Sequence, residues 1–211
     1  GEASLEWEDL APFRSFKPTE RRLLAQMLAR GLNSPITTSA GRLFDGIAAL
    51  IGLHQQVSFE GQAAMALEFA VNPAINEAYS ITILRDEGGG LKAENLKFSP
   101  PPSSLILDWG PLIEAILADL RTGVEPGIIS ARFHNALVQA VLAVAELIGE
   151  RRVALTGGCF QNRFLTEQTA QRLTQAGFEV LLHRQVPPND GGISLGQIAV
   201  AAAQLSKQRE L

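Results

Sequence analysis

With 211 residues, 46% hydrophobic and 19% charged, the chain is apolar enough to close a core of its own and too sparsely charged to stay unfolded. Its formal net charge of -4 excludes the global positive field on which nucleic-acid binding usually rests, so pairs such as Arg21-Arg22 and Arg151-Arg152 read as solvated surface. The single cysteine rules out an internal disulfide, and no run approaches the ~18 uninterrupted apolar residues of a membrane span. A cytoplasmic protein without nucleic-acid or membrane partners is expected.

Residues 1–33 read as a lead-in and a first helix. No clear period runs to Lys17; Pro18-Thr19-Glu20 then opens a helical pattern with Leu23, Leu24, Met27 and Leu28 on one face, and Gly31 closes it. Thr37-Thr38-Ser39 precede a second helix, AGRLFDGIAALIGL, with Leu43, Ile47, Leu50 and Ile51 at helical spacing and Gly52 as the stop. Ser58 is the expected cap of a third, FEGQAAMALEFA. Glycine in its first turn costs about 1 kcal/mol against alanine, so Gly61 points to another demand, such as a close backbone approach.

The pattern then changes from helical to alternating. Tyr79 to Leu84 reads as a half-buried strand, Gly88-Gly89-Gly90 as a turn and Leu91 to Phe98 as the hairpin partner, before Pro100-Pro101-Pro102 break any regular structure. Asp108 is the expected cap of GPLIEAILADLR, and a turn from Gly123 to Gly127 leads to a long helix from about Ile128 to Ile148. Because ALVQAVLAVAELIG is apolar on most faces, that helix belongs in the core.

The last quarter predicts strand (Val153 to Thr156), loop, helix (Asn162 to Gly177), strand (Phe178 to Leu182), loop and a final helix, ISLGQIAVAAAQL. Such a unit makes parallel strands, and ligands of such sheets bind at the strands' carboxyl ends. The loops LTGGCFQN and PPNDGG both leave those ends and should face one crevice. Gly157-Gly158 serves either a tight turn or the close approach of a ligand to the backbone; it matches neither of the common phosphate-loop patterns. Asn162 is a cap or a partner for a ribose or carbamoyl group, and Cys159 reads as a small hydrophobe rather than a nucleophile. Asn189 and Asp190 precede a helix entrance, where Asp190 either caps or holds a metal ion. Arg42 and Asp45, three apart, pair with each other or grip a phosphate and a ribose. His54, His134 and His183 lack HxxxH spacing, so a complete metal site within the chain is not expected.

TSAGRLFDGIAALIGL (38–53), FEGQAAMALE (59–68), LTGGCFQNRFL (155–165) and PPNDGGISLGQ (187–197) together resemble the closing part of the HypF carbamoyltransferases, hydrogenase maturation factors that make the cyanide ligands of nickel-iron sites. The resemblance implies an α/β chain of the actin, sugar kinase and Hsp70 type of ATPase fold. It makes the chain the second lobe of the transferase domain from residue 34 to 211, with a helical and β-hairpin part over about 34–125 and a strand-loop-helix core over about 126–211. It also implies ATP or carbamoyl-adenylate against Gly157, Gly158 and Asn162, with Asn189 beside them. Asp190 becomes one ligand of a divalent metal, zinc or iron, whose other ligands lie outside the chain. Gly41, Arg42, Asp45, Glu60 and Gly61 become candidates bordering the nucleotide, Arg42 and Asp190 being the catalytic ones. The implied reaction passes carbamoyl from carbamoyl-adenylate to the C-terminal cysteine of the partner HypE, so Cys159 is not needed as a nucleophile.

The family's paired metal histidines, glycine-rich phosphate loop and upstream domains find no counterpart in these residues. The chain is accordingly expected to be part of a longer protein and inactive without its remaining domains. An antibiotic-type O-carbamoyltransferase and a non-catalytic nucleotide-binding module stand as alternatives.

Overall fold

Among the described residues, apolar positions recurring every three or four build more than half into helices, and two short pairs of strands interrupt them. The computed structural model describes residue 7, residues 9–85 and residues 105–209, the last four by backbone alone. In order, the elements are α1 (Ala11–Arg14), α2 (Pro18–Arg30), α3 (Ala40–Leu50), α4 (Gln62–Phe69), β1 (Thr82–Arg85), β2 (Leu105–Asp108), α5 (Gly110–Arg121), α6 (Pro126–Ile148), β3 (Arg152–Leu155), α7 (Arg163–Gln175), β4 (Glu179–Leu182) and α8 (Ile193–Arg209). The chain divides into two compact units, Gly1–Ala140 and Val141–Leu211, with the division inside α6.

In the first unit, α3 buries Phe44, Ile47 and Ala48, α4 buries Ala63 and Leu67, α5 buries Leu112 and Ile116, and α6 buries Ile129, Ala131 and Phe133. Phe44 meets Phe133 edge to face at 5.0 Å, the geometry that ring quadrupoles favour. Polar groups on α6 organise the loops around this core. Asn135 Nδ2 donates to the carbonyls of Ile75 and Glu77, each at 3.0 Å. Asp119 accepts from both Tyr79 Oη at 2.6 Å and Arg132 at 2.7 Å. Burial and the neighbouring Asp119 carboxylate push the Tyr79 hydroxyl well above its ordinary range, so it stays a donor. Although α6, at 23 residues, is long and apolar enough to cross a membrane, half of its most apolar window is buried inside the protein, as a core helix requires.

Several local expectations change. The lead-in contains the short helix α1, opened by Pro12 in its first turn, and the Arg121 guanidinium lies 5.2 Å from the Trp7 ring centre. Within the described residues β1 pairs with β2 in antiparallel register, Ile83 opposite Leu107 and Leu84 opposite Ile106. The expected turn at Gly88 to Gly90 and the return strand Leu91 to Phe98 lie outside the described residues. Tyr79 does not join β1; its amide donates to the Arg132 carbonyl at 3.3 Å. Ser58 does not cap α4, whose first residue is Gln62. Gly61 precedes it at φ +82 with no atom near its missing Cβ, so the demand on Gly61 is a left-handed backbone and not a close approach.

The second unit follows the strand-helix-strand order. β3 and β4 run parallel, Val153 opposite Val180 and Leu155 opposite Leu182, with α7 between them in sequence. Ala145, Leu155 and Leu173 form the buried centre, with Val141, Val153, Phe160 and Val180 packed against it. Gly177, at φ +91, ends α7.

Candidate functional site

The two loops expected to share a crevice both belong to the second unit, and the structure joins them. Gly157 N donates to the Pro188 carbonyl at 2.7 Å, tying LTGGCFQN to PPNDGG just beyond the carboxyl ends of β3 and β4. At those ends stand Thr156 and His183, each the first residue after its strand, and Thr156 Oγ1 lies 3.0 Å from His183 Nε2. Both are exposed. The sequence assigned neither a role; the available signal was that Thr156 ends one, and His183 immediately follows the other, of two strands expected to be parallel.

The glycines of the two loops serve different demands. Gly157 takes φ 101 and ψ 159, a region closed to residues with a Cβ, so its identity is fixed by the backbone. Gly158 has no such conformation, and a Cβ built there would meet nothing within 4 Å. Among the described residues neither strain nor packing requires glycine at 158. In PPNDGG the opposite holds, because a Cβ on Gly191 would lie 3.1 Å from Pro187 and one on Gly192 3.1 Å from the Pro187 carbonyl. Packing accounts for that pair.

Asn162 Oδ1 accepts from Leu165 N at 2.8 Å and caps α7, as the more conservative reading held. At the second loop the cap is Asn189, whose Oδ1 accepts from Gly191 N at 3.1 Å over a short 3-10 turn that begins at Asp190. The expected alternative of Asp190 as a cap is thereby displaced. Its exposed carboxylate has no hydrogen-bond or ion-pair partner among the described residues. Cys159 is partly buried, and that burial pushes its thiol above the ordinary range, which disfavours the nucleophilic thiolate.

The remaining candidates lie in the first unit. Gly41, Arg42 and Asp45 sit on α3, where Arg42 and Asp45 form an ion pair at 2.9 Å. Glu60 is exposed in the turn that Gly61 closes ahead of α4. Among the described residues no group of three or more His, Cys, Asp or Glu side chains is placed to hold a metal ion. Asp190 therefore does not make a self-sufficient metal site with the other described residues.

These features define a class: a mixed helix and strand chain whose parallel unit carries two hydrogen-bonded loops just beyond its strand ends. The family described as the second subdomain of the Kae1-like domain of carbamoyltransferases matches residues 2–197. The chain belongs to the HypF carbamoyltransferase family. It is 43% identical over 175 residues to the carbamoyltransferase HypF of Synechocystis sp., covering 83% of this chain and 21% of that protein. To the HypF of Rhodobacter capsulatus it is 37% identical over 202 residues, covering 93% and 24%. A crystal structure of full-length HypF in a phosphate- and nucleotide-bound form superposes with a TM-score of 0.80 at 35% identity, over 92% of this chain and 24% of that one. HypF of T. kodakarensis shares the fold, with a TM-score of 0.64 at 24% identity over 93% of this chain and 24% of that one. The chain thus spans about a quarter or less of the length of these relatives.

Proposed function

We propose that the chain is the nucleotide-facing second lobe of a carbamoyltransferase of the actin, sugar kinase and Hsp70 type of ATPase fold. In this reading the edge formed by Gly157, Gly158 and Asn162 takes the adenosine side of ATP or carbamoyl-adenylate. The observation that carries it is Gly158: an open glycine that no strain or packing among the described residues demands, set just beyond the carboxyl end of a parallel strand, where ligands of such sheets bind. The nucleotide-bound state of the full-length relative supports the same reading. Asn189 holds the PPNDGG turn in shape and leaves Asp190 facing outward as one donor to a zinc or iron ion completed by other domains. Such a metal, when bound, would polarise the carbamoyl group.

The acceptor in this proposal is the C-terminal cysteine of HypE in the cytoplasm, in the route to the cyanide ligands of nickel-iron hydrogenases. Arg42, Asp45, Gly41, Glu60 and Gly61 are retained as candidates for the nucleotide's border, Arg42 and Asp190 for catalysis. Apolar surface supports a role for the remaining domains: α2 buries no residue, with Leu23 58% and Leu28 68% exposed, and on α8 Ile198 is 66% exposed. The isolated chain is therefore expected to fold and bind without transferring carbamoyl.

Calorimetric titration with a non-hydrolysable ATP analogue tests the reading. Because a Cβ at 158 would meet nothing within 4 Å among the described residues, Gly158→Val should leave the fold intact and weaken binding by about tenfold or more, a loss of about 1.4 kcal/mol or more. Equal affinity in the two proteins would remove the nucleotide from this loop.

A further inference from the structure

The turn that follows β3 is a 3-10 helix, Gly158–Gln161, held at both ends by bonds three residues long. Phe160 N donates to the Gly157 carbonyl at 3.0 Å and Asn162 N to the Cys159 carbonyl at 3.1 Å. Three residues and a rise of about 6 Å complete one turn of such a helix, and side chains three apart eclipse. Gln161 therefore leaves the backbone in line with the bare Cα of Gly158, one turn further along. The two side chains between them are drawn into the protein: Cys159 is partly buried and Phe160 packs against the core of the unit.

The space over Gly158 is open, since a Cβ there would meet nothing within 4 Å among the described residues. A ligand resting on that glycine has one exposed side chain of the turn in line with it, Gln161, whose carboxamide has no hydrogen-bond partner among the described residues. The neighbouring amide differs, because Asn162 is buried and its Oδ1 accepts from Leu165 N. A carboxamide presents an N–H donor and a carbonyl acceptor at fixed spacing. Adenine presents the complement on one edge, the N7 acceptor beside the N6 amino donor, and glutamine pairs with it through two bonds. Guanine sets two acceptors, N7 and O6, on the same edge, so one of them would face the carbonyl of the amide. Ribose hydroxyls each donate and accept, and so make no use of a fixed donor and acceptor pair.

We propose that Gln161 reads the amino edge of adenine in the nucleotide held at Gly157-Gly158, a specificity-determining contact that rests on the nucleotide reading above.

Calorimetry on the 211-residue chain with two non-hydrolysable triphosphates that differ only in the base, adenine against guanine, tests the contact. The unaltered chain should bind the adenine analogue about tenfold or more tightly than the guanine one, the scale of one bidentate amide contact. Gln161→Met keeps the length of the side chain and removes both bonds. It should lose the preference through weaker binding of the adenine analogue, with the guanine affinity unchanged. The position is exposed and its side chain makes no internal bond among the described residues, so the melting temperature should hold and report any misfolding. Full preference for adenine in Gln161→Met would overturn the inference. So would an equal loss for both analogues, which would put the amide on the ribose or phosphates that the two share. If Gly158→Val loses both analogues beside either result, the nucleotide reading stands. An unaltered chain that binds the two bases equally well sinks the inference alone, and one that binds neither overturns both.

Discussion

Around Ser130 and His134 and around Thr156 and His183, a hydroxyl residue meets a histidine, yet the two pairs differ in every property that decides availability. Ser130 and His134 are fully buried. Ser130 Oγ donates to the Leu67 carbonyl at 2.5 Å, His134 Nδ1 donates to the Ser130 carbonyl at 2.8 Å, and the rings of Phe44 and Phe133 flank the imidazole, each 5.5 Å away. Thr156 and His183 are exposed just beyond the strand ends, with Oγ1 and Nε2 3.0 Å apart and the Thr156 hydroxyl donating to the Pro188 carbonyl at 3.5 Å. Buried polar groups whose bonds are made inside the protein specify a packing arrangement. Exposed ones that still face water are available to a ligand. Residue type alone says nothing about which of these a serine or threonine with a histidine will be.

The strongest way to test the contrast is by pH. Burial lowers the pKa of His134 from 6.5 to about 4, against a smaller opposing effect of the Ser130 carbonyl. The folded state therefore holds this histidine neutral where the unfolded chain would bind a proton, and stability is complete above pH 6.5. As pH falls from 6.5 towards 4 the contribution is lost at about 1.4 kcal/mol per pH unit, reaching about 3 kcal/mol below pH 4. Urea unfolding across that window should show this slope in the unaltered chain. In His134→Gln the slope should be smaller by that amount, whatever the absolute stability of the variant. Equal slopes would mean that His134 is solvated, and the contrast with His183 would collapse.

A smaller effect separates architecture from ligand contact within the second unit. Asn162 caps α7 through Leu165 N, so Asn162→Ala should cost about 1 kcal/mol in urea unfolding. Asn162→Asp should restore most of that, because a carboxylate oxygen accepts the same bond. Stability that does not recover in the aspartate variant would show that the amide group itself is used, by a bond other than the cap.

Much of this was legible beforehand where periodicity is strong. Helix α6 and the order β3, α7, β4 follow from apolar spacing and punctuation by glycine, and Asn162 carries the signature of a cap. The hairpin was half legible: β1 was placed nearly correctly, but nothing local singles out Leu105–Asp108 over other short apolar runs as its partner. Gly61 was flagged for the wrong cause, since a positive φ leaves no trace in sequence apart from the glycine itself. Between adjacent Asn189 and Asp190, which side chain turns back on the loop depends on the local backbone, so the cap, raised as one of two alternatives for Asp190, falls to Asn189. Thr156 and His183 could not be paired from sequence, because their meeting depends on the register of two parallel strands and not on any spacing along the chain.

Arg42 and Asp45 give the weakest effect and test the contrast at its other limit. Their ion pair at 2.9 Å joins a 59% exposed guanidinium to a 29% exposed carboxylate, three residues apart on α3. Water screens such a pair and two long side chains lose freedom in making it, so each alanine variant should shift unfolding stability by no more than about 0.5 kcal/mol. A double-mutant cycle should return a coupling no larger than that. If it does, the fold makes little use of either residue, and any loss of nucleotide affinity in Arg42→Ala reads as a lost ligand contact. A coupling above about 1 kcal/mol would instead place the pair with Ser130 and His134 as architecture. Then α3 would have no side chain free to grip a phosphate, and the candidate border of the nucleotide in the first unit would shrink to the turn at Glu60.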